Sequence, residues 1–126
     1  MNYGEIKTAI INRSHRSDLT ALVPGFVQLA EAEYNRRTAS DYDLTTGTDS
    51  KSNWVSEFAP DVYIFGGLAH LAVYTNDDES FSKYGQLFER AVDQAHYAEV
   101  REAGDLDTKL EVDAALQYTS SNILTG

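Results

Sequence analysis

Apolar residues in this chain recur three and four positions apart, and their densest run lies near the middle. Between positions 60 and 76, PDVYIFGGLAHLAVYTN, the side chains of Val62, Ile64, Phe65, Leu68, Ala69, Leu71, Ala72 and Val73 do not fit one narrow stripe. A helix that is apolar nearly all the way round is a buried helix. This one is too short for a bilayer, which asks for roughly 20 predominantly apolar residues. Pro60 suits the first turn, where its missing N–H is no loss. Gly66 and Gly67 each cost a helix about 1 kcal/mol relative to Ala. Their place in the interior therefore reads as close approach of a neighbouring helix rather than as a hinge.

On the N-terminal side the stripes narrow to one face. Residues 2–14 read as a helix capped by Asn2, with Glu5 as a capping-box partner and Ile6, Ala9, Ile10 and Arg13 sharing a face. The polar run SHRSD at 14–18 breaks it, and Ser17 or Asp18 caps a short turn through Leu22. Pro24 restarts a helix to about Arg37. Phe26, Val27, Leu29, Ala30 and Tyr34 form its stripe, Glu31 and Glu33 fall outside it, and Arg36 and Arg37 complement the dipole in the last turn.

Residues 38–52, TASDYDLTTGTDSKS, are a loop by composition, long for a compact domain, and expected to be flexible. Tyr42 and Leu44 alternate with polar neighbours and allow a short extended edge. One helical turn at 53–58 sets Trp54, Val55 and Phe58 against the central helix. The acids at 76–79 stop that helix and start the next, as caps and dipole partners. They lack the alternating ligands and Gly of a calcium loop. The longest helix runs from 78 to about 103 on Phe81, Tyr84, Phe88, Ala91, Val92, Ala95 and Ala98, with Gly104 as its stop signal. In 105–126 no period dominates, and apolar residues are spread among four acids and one lysine. That composition reads as a segment that orders against a partner rather than on its own core.

The pattern thus predicts an all-α fold: a small bundle of about four helices with a long polar loop and an extended C-terminal tail. Residues 1–104 form the helical domain and 105–126 the tail. The central and long helices should pack antiparallel, since only 76–78 joins them. A length of 126 residues favours a single domain.

Charge and chemistry sharpen this picture mainly by exclusion. A formal net charge of -10 argues against a broad nucleic-acid-binding face and against docking to anionic membranes. With no cysteine there are no disulfides, no thiolate chemistry and no Cys-ligated metals. The opening residues, MNYGEIKTAI, mix acid and base and read as no secretory signal. His15, His70 and His96 have no second histidine three to five residues away, and no phosphate-binding or nucleophile motif occurs. His70 reads as a core histidine, and His15 and His96 as surface or interface residues. Glu31 and Glu33, two apart on a helix, point to different faces and do not make an acid–base pair. The expectation is no enzyme, no catalytic residue, no cofactor and no metal.

Two blocks carry a resemblance. The first is His15-Arg16-Ser17-Asp18-Leu19 followed by Pro24-Gly25-Phe26-Val27-Gln28-Leu29-Ala30-Glu31-Ala32-Glu33-Tyr34-Asn35-Arg36. The second is Asn53-Trp54-Val55, Ala59-Pro60-Asp61-Val62-Tyr63 and Tyr74-Thr75-Asn76-Asp77-Asp78-Glu79. In pattern and order the chain resembles the head-to-tail adaptor (connector) proteins of tailed bacteriophages, as a shortened member. The strand-rich insertion many members carry between the blocks is replaced here by the polar loop 38–52.

The resemblance implies a structural virion protein of the neck, assembled in the host cytoplasm. It implies a homo-oligomeric ring, twelve subunits against a twelve-fold portal, docked to the portal protein on one side and to a stopper, nozzle or tail-tube protein on the other. DNA would pass through the channel during ejection without specific binding, and no membrane is involved. It also implies a portal-docking tail, for which Leu106, Leu110, Val112, Leu116, Tyr118, Ile123 and Leu124 are the candidates. Tyr63, Tyr84 and Tyr97 are candidate inter-subunit anchors, since aromatics are enriched at interface cores. Trp54 reads better as core. The rival reading is a small acidic helical module that binds a basic protein surface as a monomer or dimer.

Overall fold

Local signals set the first helix. Asn2 Oδ1 accepts the Glu5 N–H at 2.8 Å, and Glu5 Oε1 accepts the Asn2 N–H at 3.0 Å, a reciprocal capping box at the head of α1 (Tyr3–Ser14). The structure is a computed structural model and describes the backbone of residues 1–125 and the side chains of residues 1–104. After α1 come a 3-10 turn at Ser17–Leu22, α2 (Val23–Thr38), a second 3-10 turn at Leu44–Thr46, α3 (Trp54–Phe58), α4 (Pro60–Tyr74) and α5 (Asp78–Thr125). There is no strand among the described residues. The all-α expectation stands, with five helices, because Ala59 separates α3 from α4. The extended edge allowed at Tyr42–Leu44 is instead a 3-10 turn that drives Leu44 into the core.

The chain divides into two units, Met1–Ala95 and His96–Gly126. In the first, α4 is the central element. Val62, Tyr63, Leu68, Leu71 and Ala72 are buried on different sides of it, as expected of a helix without a wet face. α2 runs antiparallel along it, so that Phe26 meets the Tyr74 ring, Ala30 faces Gly66 and Glu31 meets Tyr63. Both glycines are contact points. A Cβ on Gly66 would stand 2.6 Å from Ala30 Cβ and 2.8 Å from the Phe88 ring, and one on Gly67 would stand 2.5 Å from Ile10 Cδ1. Three helices, α1, α2 and α5, therefore close on one bare stretch of backbone. The start of α5 returns antiparallel to α4: Phe88 packs against Gly66 while Phe81, two turns earlier, shares a pocket with Val73, two turns later, and Tyr84 stacks on Phe65. Phe88, Ala91, Val92 and Ala95 complete the core.

Helix ends depart from the sequence expectation in two respects: neither Ser17 nor Asp18 caps the turn at Ser17–Leu22, whose Asp18 carboxylate is taken by Arg16, and α5 runs past its expected stop. Gly104 does not stop α5, which continues to Thr125. A glycine terminates a helix by adopting positive φ, and no glycine among the described residues does so. The positive-φ positions are His15 and Ala39, which cap the ends of α1 and α2, and Asn76, two residues beyond α4. In the second unit the helical backbone is described as far as Thr125 and the side chains as far as Gly104. The predicted tail residues Leu106, Leu110, Val112, Leu116, Tyr118, Ile123 and Leu124 lie outside the described side chains.

Candidate functional site

The polar feature that the packing singles out is Glu31. It sits on α2 between Ala30 and Ala32 and is 5% exposed, the one buried ionisable carboxylate among the described residues. The sequence reading left it outside the apolar stripe, which the structure corrects. It lies four residues after Val27 and three before Tyr34, both buried, so it belongs to their face. No cation bridges it among the described residues. Hydrogen bonds hold it instead. The Leu44 N–H donates to Oε2 at 2.8 Å, Thr45 Oγ1 to Oε1 at 3.0 Å, and the Tyr63 hydroxyl to Oε2 at 2.6 Å. Asn53 Nδ2 in turn donates to the Tyr63 oxygen at 3.1 Å. Leaving a buried polar group without its partner costs about 1–3 kcal/mol, which is why a carboxylate at this depth is met by three donors, two from the 38–52 loop and one from α4.

The same cluster fixes neighbouring elements. Asn53 caps α3 through a reciprocal box with Ser56, itself fully buried, so one residue starts a helix and steadies the Tyr63 phenol. Burial raises the Tyr63 pKa, the Asn53 bond opposes that rise, and Glu31 adds to it; the phenol stays protonated and remains a donor. The 38–52 loop is fastened at three places. Near its start Asn35 holds Tyr42 through both its N–H and its carbonyl, at 3.1 and 2.9 Å. In its middle Glu31 holds Leu44 and Thr45. Towards its end the Tyr3 and Gly4 N–H groups donate to the Lys51 and Asp49 carbonyls, each at 2.9 Å.

A second polar group lies at a mostly apolar pocket of about 380 Å³ lined by Gly66, Ala69, Val73, Phe81, Gly85 and Phe88. His70 stands at its edge with Glu33 and Glu89, and Arg37 bonds both carboxylates. His70 is half-buried, not a satisfied core residue: its Nε2 is 4.0 Å from Glu33, beyond hydrogen-bond range. Burial lowers its pKa and Glu33 partly opposes the shift. His15 is exposed, and His96 Nδ1 is enclosed without a hydrogen-bond partner.

The candidate anchors fare differently. Tyr63 is 1% exposed with its hydroxyl committed to Glu31, so it is a core residue and not a surface anchor, a correction to the sequence reading. Tyr84 is half-buried, stacked on Phe65 at 6.2 Å, with the Lys83 ammonium over its ring. Tyr97, in the second unit, is exposed. Trp54 packs against the core as expected and stacks on Phe58 at 4.8 Å, but Phe58 itself is turned outward. Leu22, Leu29, Val73, Tyr74 and Phe81 are further large apolar side chains on the surface of the first unit.

Chemically, Glu31 accepts from three donors and lines none of the described pockets, an arrangement suited to holding structure. Among the described residues no group of three or more His, Asp or Glu side chains is placed to hold a metal ion, and no helix is long and apolar enough to cross a membrane. The chain matches no protein-family model, no curated protein and no solved structure.

Proposed function

We propose that this chain is a structural head-to-tail adaptor of a tailed bacteriophage, a ring subunit that joins a portal to the tail and lines the path of the genome. One observation carries the reading. The two blocks that resemble the adaptor family are separate in sequence, yet Glu31 of the first bonds Tyr63 of the second, and Tyr63 is bonded by Asn53, also of the second. The residues that give the resemblance thus make one physical unit. That is what supports treating them as a shared scaffold rather than as scattered coincidences.

Two further features suit the role. Exposed Leu22, Leu29, Val73, Tyr74 and Phe81 are apolar surface available for subunit contacts. The net charge of -10 suits a channel that must not grip phosphates, since each Lys or Arg contact adds salt-dependent affinity for DNA. In this reading the apolar residues of 105–126 engage the portal. The test is to mix the chain with the portal of its phage and image the product by negative stain. A ring seated on the portal is expected, and a chain cut after Gly104 should fail to seat while keeping the cooperative unfolding of its first unit. Free monomers beside bare portals would defeat the proposal. Seating by the truncated chain would remove the tail from it.

A further inference from the structure

We propose that residues 38–52 are a strap with a single central latch, the Glu31 carboxylate, and that the stretch 43–48 opens as a unit when that carboxylate can no longer accept. The inference is separate from the adaptor reading and stands on geometry alone.

The strap has three fastenings of unequal kind. At each end a backbone or amide pair does the holding: Asn35 with Tyr42, and the Tyr3 and Gly4 N–H groups with the Lys51 and Asp49 carbonyls. Lys7 adds an ion pair to Asp49 at 2.8 Å, on exposed ground where such pairs count for little. Between these ends the strap has little of its own to hold it. Thr46 and Gly47 bond only to Asp43 and Leu44 within the same turn, and Lys51 reaches back to Asp43, again inside the strap. Of its middle residues Leu44 alone is fully buried. The hydrogen bonds that tie this middle to the helices converge on Glu31, through the Leu44 N–H and the Thr45 hydroxyl.

The opposite side of the carboxylate is held by Tyr63 from α4. The latch is therefore anchored in the core and grips outward. Removing its acceptors leaves the Leu44 N–H and two hydroxyls facing an apolar wall, and the strap can satisfy its share of those groups only by lifting into water. The helices keep their own hydrogen bonds in either state, so opening should be local, of the low-energy kind that regional exchange experiments detect.

Amide hydrogen exchange by NMR tests this, with Glu31→Leu, Glu31→Gln and wild type compared. In Glu31→Leu the Leu44, Thr46 and Gly47 amides should exchange at least about tenfold faster. Tyr42 and Gly4, held at the two ends, and the interior amides of α2 and α4 should stay within about threefold of wild type. Glu31→Gln should restore protection at Leu44. Its amide oxygen can still accept from Leu44 and Tyr63, while its NH2 can donate to the Thr45 hydroxyl. A folded Glu31→Leu chain with unchanged Leu44 exchange overturns the proposal, as does a uniform rise across α1, α2 and α4. Should Glu31→Leu not fold, Thr45→Val removes one outward donor and leaves the core side of the latch untouched. Faster exchange confined to 44–47 then supports the latch, and none overturns it.

Discussion

Single residues in this chain divide into those whose setting is written in their neighbours and those whose setting depends on distant partners. Asn2, Glu5, Asn53 and Pro60 belong to the first kind, since a cap or a first-turn proline is a local matter. Glu31 and Tyr63 belong to the second. An acid beside an apolar stripe is ordinarily solvated, and only donors arriving from Leu44, Thr45 and Tyr63 make its burial tolerable; none of that is visible at i, i+3 or i+4. The spacing to Val27 and Tyr34 was the one local sign. His70 likewise looked like a core residue because its helix is central, and its half-exposure follows from the pocket between α4 and the start of α5.

His70 carries a pH prediction. Its folded-state pKa lies below the ordinary value of 6.5 because burial disfavours the imidazolium, with Glu33 in partial opposition. The unfolded chain therefore takes the proton first as pH falls. Stability should decline from about pH 7 downwards through that value, until the folded form is protonated too. One group can contribute a slope of at most about 1.4 kcal/mol per pH unit. Urea unfolding at a series of pH values should show a shallower decline between pH 7 and 5.5 for His70→Gln than for the parent. Equal slopes in the two proteins would show that His70 makes no contribution.

Elements were the most legible level. Periodicity alone placed α1, α2, α4 and the first half of α5, because an amphipathic or all-apolar run has few other ways to bury itself. Ends were less legible. His15, Ala39 and Asn76 take the left-handed turn that a glycine ordinarily takes, while Gly104 remains helical, so the most trusted stop signal pointed to the wrong places. Packing between elements gives a sharp contrast among the glycines. Gly66→Ala should destabilise the protein by about 1–3 kcal/mol, since its methyl would meet Ala30 Cβ, which has no rotamer in which to yield, and the buried Phe88 ring. Gly85→Ala, with nothing within 4 Å of the added carbon, should stabilise α5 by about 0.5–1 kcal/mol. Chemical denaturation midpoints at constant slope will read both, and similar effects at the two sites would contradict the contact geometry.

At the scale of the whole molecule, charge and apolar surface pull in opposite directions. Twelve copies in a ring would carry about -120 formal charges, which opposes assembly unless ions or partners screen them. The exposed apolar residues favour association, which added salt does not screen. Raising ionic strength from about 0.05 to 0.5 M shortens the reach of that repulsion severalfold. Sedimentation velocity should accordingly show more self-association at the higher salt, and a chain that dissociates instead would be held by ion pairs. The class of the fold was legible from pattern at this scale. The strap was not, because 38–52 looks like any polar loop until the groups that receive it are known.

The Trp54–Phe58 stack has a practical side. Because the chain has one tryptophan, its long-wavelength emission arises almost wholly from α3, a five-residue helix whose cap Asn53 bonds the Tyr63 phenol. With its outer partner Phe58 open to contact, that indole is a built-in optical gauge. Titrating in a second protein and watching the colour and intensity of its glow reports on one known corner of the surface, with no dye to attach.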